Sequence, residues 1–171
     1  ERTLVAECSA NGGFRSAGVT SAPTLVPVAE IQVELGETMD LGVTREGHRR
    51  VTPILGGTVR GLAGGSLAGL RAVILPGGGD RQRVSDDGAS GTLIEIDAQY
   101  DARTDAGTVL AVHAQGVRHV PGPGASGGVL FRVALTFESS DPELAGLQNA
   151  LYVADGVRDA DRVRHTVYRV D

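Results

Sequence analysis

A chain of 171 residues with 41% hydrophobic content is long enough for one domain with a substantial core and too short for two typical ones. Its net charge of −5 argues against a nucleic-acid partner, whose phosphates would want a basic face. Aromatics make up 4% and Trp is absent, so any internal cavity must be walled by Val, Leu, Ile and Ala, while 25 glycines and 7 prolines scattered between apolar runs mark many turns rather than collagen or a disordered tail.

Residues 1–23 read as an extension ahead of the main domain at 24–171. Asn11, Gly12 and Gly13 and the small residues from Ser16 to Ala22 are loop-like, with a short strand at Thr3–Glu7. Cys8, the single cysteine, has no intramolecular disulfide partner, which favours a cytoplasmic location. No apolar run approaches the roughly 18 residues of a membrane span, so no membrane partner is expected.

From Leu25 to Leu35 apolar residues alternate with polar ones at a period of two, the pattern of a half-buried strand, and Gly36 ends it. Met39–Val43 is strand-like and leads into a basic turn from Arg45 to Arg50. Val51–Leu55 and Thr58–Leu62 read as two strands separated by Gly56 and Gly57, followed by a glycine-rich loop over Gly61–Gly69.

The stretch Leu70–Tyr100 carries the most chemistry. An apolar run ends in Pro76 and Gly77, Gly78 and Gly79, which deliver Asp80. A polar turn rich in Asp and Gly follows, and the chain returns as an extended segment over Thr92–Tyr100. Thr108–Gln115 is the next strand, the Pro and Gly cluster from Pro121 to Gly128 a loop, and Val129–Glu138 the clearest alternating strand. Asp141 is a good N-cap, Pro142 fits the first helical position and Glu143 suits the positive helix end, with Leu144, Leu147 and Leu151 forming one apolar stripe. Val163–Val170 alternates as the last strand. Eight to ten short strands at roughly ten-residue spacing with one short helix predict an all-β fold, an antiparallel barrel or sandwich, of which a single closed antiparallel β-barrel has the attraction of leaving no exposed edges.

Several blocks then resemble a bacterial and fungal β-barrel family catalogued as domain of unknown function 3237. They are Val51–Gly61, Leu75–Asp80, Asp97–Tyr100, Gly116–Arg118, Phe131–Arg132, Phe137–Glu138 and Tyr152–Arg158, and together they cover roughly Thr24 to Val170. The resemblance implies a closed, mostly antiparallel barrel and no settled activity. It also implies departures: this chain has Arg81 and Gly146 where the family places tryptophans, Gln148 for an asparagine and Gln99 for an arginine. Those losses predict a wider barrel mouth with altered chemistry.

The candidate site residues follow from both readings. On a strand Glu95, Asp97 and Gln99 share a face. Alternation alone gives that face to solvent, whereas the resemblance moves Asp97 and Asp80 toward the interior. If the two lie side by side, one carboxyl keeps its proton and can act as general acid. Arg118 is the natural partner for a carboxylate, enolate or phenolate, and Arg132 also has the forked geometry, with a surface salt bridge as its simpler role. Tyr100, His113, Glu138 and Gln148 complete the expected binding set with Gln99, each with a packing, capping or polar-fill role as the plainer reading.

His113 and His119 lack the close one-face spacing of a zinc pair, no nucleophile elbow is present, and the glycine runs lack the Lys-Ser/Thr of a phosphate loop. The sequence therefore points to a cofactor-independent enzyme of isomerase, cyclase, lyase or dehydratase type. Its partner would be a small hydrophobic organic molecule, polyketide-like or aromatic, with Asp80 and Asp97 as acid and base and Arg118 stabilising negative charge. The alternative is a non-catalytic, lipocalin-like binding barrel. A β-rich surface also fits a homodimer.

Overall fold

The computed structural model describes residues 21–86 and 88–171; the strand expected at Thr3–Glu7 and Cys8 lie outside the described residues. The described residues form an all-β fold of ten strands and one short helix: β1 Leu25–Leu35, β2 Met39–Thr44, β3 Gly47–Gly61, β4 Arg71–Ile74, β5 Gly78–Asp86, β6 Gly91–Thr104, β7 Val109–Pro121, β8 Leu130–Ser139, a 3-10 helix Pro142–Asn149, β9 Leu151–Arg158 and β10 Arg162–Val170. All pairings are antiparallel. The sheet runs β1-β10-β9-β8-β7-β6-β4-β3-β2, β5 joins β3 to β6, and β1 pairs back onto β3, so the hydrogen-bonded ladder returns on itself as a barrel-like ring. No helix among the described residues is long and apolar enough to cross a membrane.

Local sequence explains the individual strands. In β1 the apolar set changes phase between Val28 and Ile31, and the register with β10 shifts between Pro27 and Ala29. This bulge puts both Val28 and Ala29 in the core and restores alternation through Ile31 and Val33.

The segment expected as two strands around Gly56 and Gly57 is one fifteen-residue strand, β3. Its first part pairs with β2 and β5 and its second with β1 and β4. Gly57 is the corner. Its φ is +135°, and a Cβ there would lie 2.0 Å from the Gln32 carbonyl oxygen, so only glycine admits this approach of β1.

Three further expectations are corrected. The polar stretch after Asp80, read as a turn, is largely β5, because Asp80 and Gln82 are the inward residues of an alternating strand whose inner face is polar. Strand β7 continues past Gln115 to Pro121. The helix is a 3-10 helix; its Asp141 cap accepts a hydrogen bond from the Glu143 backbone N–H at 2.9 Å, but Leu151 begins β9 and is exposed instead of completing the apolar stripe.

The ring has two unlike ends. Val28, Val59, Ala102, Leu110 and Val167 fill one end at no more than 1% exposure, and Leu147 packs beneath the helix into the same core. Toward the connections at 45–47, 88–90, 122–129 and 159–161 the inward positions become polar, and a cavity opens.

Candidate functional site

The cavity has a volume of about 170 Å³. Its apolar wall comes from Val33 and Leu35 of β1, Ile54 of β3, Ile94, Ile96 and Ala98 of β6, Ala114 of β7, Phe131 of β8 and Val163 of β10. Into it β3 places Arg50, β5 Asp80 and Gln82, β6 Tyr100, β7 Arg118, β9 Arg158 and β10 His165. Each sits where the period of two requires an inward residue: Arg118 in phase with Ala114 and Val112, Arg158 with Ala154 and Tyr152, and His165 with Val163 and Val167.

Asp80 is 7% exposed and held at both oxygens. Gln82 Nε2 donates to Oδ2 at 2.6 Å and the Asp97 backbone N–H donates to Oδ1 at 3.1 Å. Burial pushes its carboxyl above the ordinary carboxylate value, outweighing these hydrogen bonds and the attraction of Arg158. Arg50 reaches the network by donating from Nη2 to Gln82 Oε1 at 3.2 Å. Burial together with the neighbouring charge of Arg50 pushes the Arg118 guanidinium down, and burial with Arg118 does the same to Arg158. Among the described residues no carboxylate stands within salt-bridge distance of Arg50, Arg118 or Arg158.

Among the described residues four buried side-chain polar atoms have no hydrogen-bond partner: Arg50 Nε, Tyr100 OH, Arg118 Nε and His165 Nδ1. All four belong to residues that line this one cavity. Burial raises the Tyr100 hydroxyl far above its usual range, so the phenol keeps its proton and remains a donor. Burial pushes His165 down to about 4, partly opposed by a hydrogen bond to the Asp155 backbone, so the ring is neutral near pH 7. Phe131 fixes the ring from the side with an edge-on contact at 5.2 Å. Gly156 makes room for the pair, since a Cβ there would meet the Phe131 ring at 2.7 Å.

The expected site residues divide between the two faces of the sheet. Asp80, Arg118 and Tyr100 share the cavity. Asp97 faces outward, its carboxylate 2.6 Å from His113 Nε2, and only its backbone N–H serves Asp80. The side-by-side pair of acids is therefore not formed; the odd-numbered residues of β6 point away from the interior. Gln99, His113, Glu138 and Gln148 border an open groove on the outside of the ring, where Gln148 Nε2 donates to the Ser139 carbonyl. Arg132 forms a surface ion pair with Asp155, and Glu95 one with Arg83. Arg81 and Gly146 are exposed and border neither the cavity nor its mouth, so the loss of bulky side chains there does not widen it.

Arg50, Gln82, Arg158 and His165 line the cavity and were passed over by sequence reasoning. Their signal was a polar side chain in the apolar phase of a strand. As it stands the site offers a buried carboxyl for proton transfer, cations for a developing negative charge, and an apolar wall that excludes water.

Comparison with known proteins places this geometry among relatives. Residues 23–170 match the family described as "Protein of unknown function (DUF3237)". A UPF0311 protein of Rhodopseudomonas palustris is 32% identical over 153 residues, covering 84% of this chain and 94% of the relative. A crystal structure of a conserved protein of unknown function from the same organism superposes with a TM-score of 0.76 at 31% identity, over 89% of this chain and 100% of that one. A β-barrel-like protein from Acinetobacter baumannii gives 0.75 at 27%, covering 89% and 98%. A PR-toxin biosynthesis cluster protein of Penicillium roqueforti is 46% identical over 67 residues, 34% of this chain and 36% of that protein. The fold is shared with an enzyme from Penicillium herquei, at a TM-score of 0.62 and 14% identity over 89% of this chain and 97% of that one.

Proposed function

The chain belongs to the DUF3237 family, and we propose that it is a cofactor-independent enzyme that moves protons on a hydrophobic organic substrate held inside a closed antiparallel barrel. The observation that carries this reading is the convergence of four unpartnered buried polar atoms and one buried carboxyl on a single cavity. A buried polar group without a partner costs about 1–3 kcal/mol, so a fold that keeps four at one place is complementary to something that satisfies them.

In the reaction we propose, the Asp80 carboxylate takes a proton from a carbon beside a substrate carbonyl. The electron pair moves to the carbonyl oxygen, and Arg118 with Arg158 holds the resulting enolate. Asp80, now protonated, returns the proton at a conjugated carbon, which is an isomerisation, or to a departing hydroxyl, which leaves as water. The same proton shuttle serves a cyclisation in which the enolate carbon attacks within the substrate. Gln82 and the Asp97 N–H keep the carboxyl in one orientation while it changes charge. The PR-toxin biosynthesis cluster protein, similar over 34% of this chain, supports a small organic metabolite as the substrate, and the apolar wall favours a hydrophobic one, which we take to be aromatic or polyketide-like.

The test is solvent exchange. Carbonyl-bearing aromatic and cyclic metabolites are incubated with the protein in D₂O, and deuterium uptake and product are followed by NMR. Asp80→Asn removes the proton carrier but keeps the shape, and should lower the rate at least 10²-fold with an unchanged circular dichroism spectrum. Turnover that survives the substitution refutes the assignment. The apolar wall also suits a lipocalin-like binding protein, which would return such a ligand unchanged and undeuterated.

A further inference from the structure

We infer that the cavity takes a one-ring organic acid, its carboxylate at the turn-bearing end and a hydroxyl on the far side of the ring. The inference rests on the same cavity as the proton-transfer reading, and it concerns binding alone.

Size sets the first limit. A volume of about 170 Å³ is close to that of an engineered apolar cavity of about 150 Å³ that accepts benzene. One ring with short substituents fills it, and a fused multi-ring skeleton does not.

Charge sets the second. Three guanidinium groups face the cavity against one carboxylate whose own charge burial disfavours. All three are half-buried, and cations partly withdrawn from water without a counter-charge are unfavourable, which an anionic ligand relieves directly. Arginine Nε and Nη donors present the forked geometry that matches a carboxylate.

Order along the barrel sets the third. Arg118 lies opposite Ile94 on β6 and Phe131 on β8, Arg158 opposite Val163 on β10, and Arg50 opposite Gln82 on β5, all toward the end that carries the turns. Tyr100 lies opposite Val112, six residues farther along β6 than Ile94. Between the two levels come Ile96, Ala98 and Ala114, an apolar middle. A ligand that satisfies both ends is therefore anionic at one, apolar in the middle and oxygen-bearing at the other. Among the unpartnered atoms, the two arginine Nε groups and the Tyr100 hydroxyl are donors. A carboxylate answers the arginines, and a hydroxyl can accept from Tyr100.

The experiment measures binding of four probes to the whole chain by calorimetry: 4-hydroxybenzoate, benzoate, 4-hydroxybenzamide and naphthalene-2-carboxylate. The expected order puts 4-hydroxybenzoate at least tenfold tighter than the neutral amide and than the two-ring acid. Tyr100→Phe should weaken 4-hydroxybenzoate about five- to tenfold and change benzoate less than twofold, a difference that a general packing defect would not produce. The inference is overturned if the amide or the naphthalene acid binds as tightly as 4-hydroxybenzoate. Equal losses for both benzoates in Tyr100→Phe, or no binding of any probe at millimolar concentration, would also overturn it. Binding without deuterium exchange would sink the enzyme reading and leave this inference standing; exchange confined to neutral or multi-ring substrates would do the reverse.

Discussion

His165 and Asp80 face the same cavity, and burial acts on them with opposite consequences for stability. The imidazole has its ordinary value near 6.5 in the unfolded chain and about 4 in the folded one. Between those values the unfolded chain binds a proton that the folded chain does not. Folding therefore weakens as pH falls from 6.5 toward 4 and levels off below, by about 3 kcal/mol at 1.36 kcal/mol per pH unit. Asp80 is raised in the fold above its unfolded value near 3.8, so it takes up its proton first on folding and falling pH favours the folded state over that interval. The expected net result is a loss of stability between pH 6.5 and 4 that His165→Gln flattens and Asp80→Asn steepens, read from urea midpoints across the pH series. Parallel curves for the wild type and His165→Gln would exclude the histidine as the titrating group. Asp80 was legible in the sequence because a run of glycines delivers it. His165 was not, because a single histidine in an alternating strand looks the same whether its phase is inward or outward until the phase is anchored by its neighbours.

Strand β3 shows what pattern reading captures and where it stops. Its two halves were legible as apolar segments, but a glycine pair between them reads as a break when only local propensity is considered. The pair is instead the corner that lets one strand serve two sets of partners, a fact carried by β1 and β4 and invisible within β3 itself. Strand β5 failed differently: alternation is found by its apolar members, and here the inward members are Asp80 and Gln82. The site hid its own strand. The corner is testable. Gly57→Ala places a methyl 2.0 Å from the Gln32 carbonyl oxygen at a φ that disfavours side chains, and should destabilise the fold by more than about 4 kcal/mol. Gly127→Ala has a similar φ of +128° with nothing within 4 Å of the added methyl, and should lose only about 1–3 kcal/mol. Urea denaturation of the two variants separates close approach from backbone strain. Equal losses would mean that the β1–β3 contact does not depend on the missing side chain.

At the scale of the whole molecule, charge and core are arranged against each other. The chain carries a net charge of −5, yet its cavity gathers three arginines around one acid, so the surface is more acidic than the total suggests and the interior is cationic. One end of the ring is packed apolar core; the other end keeps polar groups unpaired where apolar ones would pack. Such an arrangement lowers stability in the empty protein, because a half-buried charge that lacks its partner is poorly solvated and a hydrophobe of similar volume is not. Arg118 is the sharpest case, since burial and Arg50 both act against its charge. Arg118→Met should raise the melting temperature of the ligand-free protein, by about 2–4 °C for each kcal/mol gained in a domain of this size, while weakening an acidic ligand at least tenfold. Differential scanning calorimetry with and without 4-hydroxybenzoate reads both effects. In the wild type a ligand at one hundred times its Kd should restore about 2.7 kcal/mol, and in Arg118→Met the same concentration should restore much less. A variant that melts lower and still gains the full ligand shift would show that Arg118 is held for packing. A higher melting point with a lost shift would show that the barrel keeps this charge for what enters it.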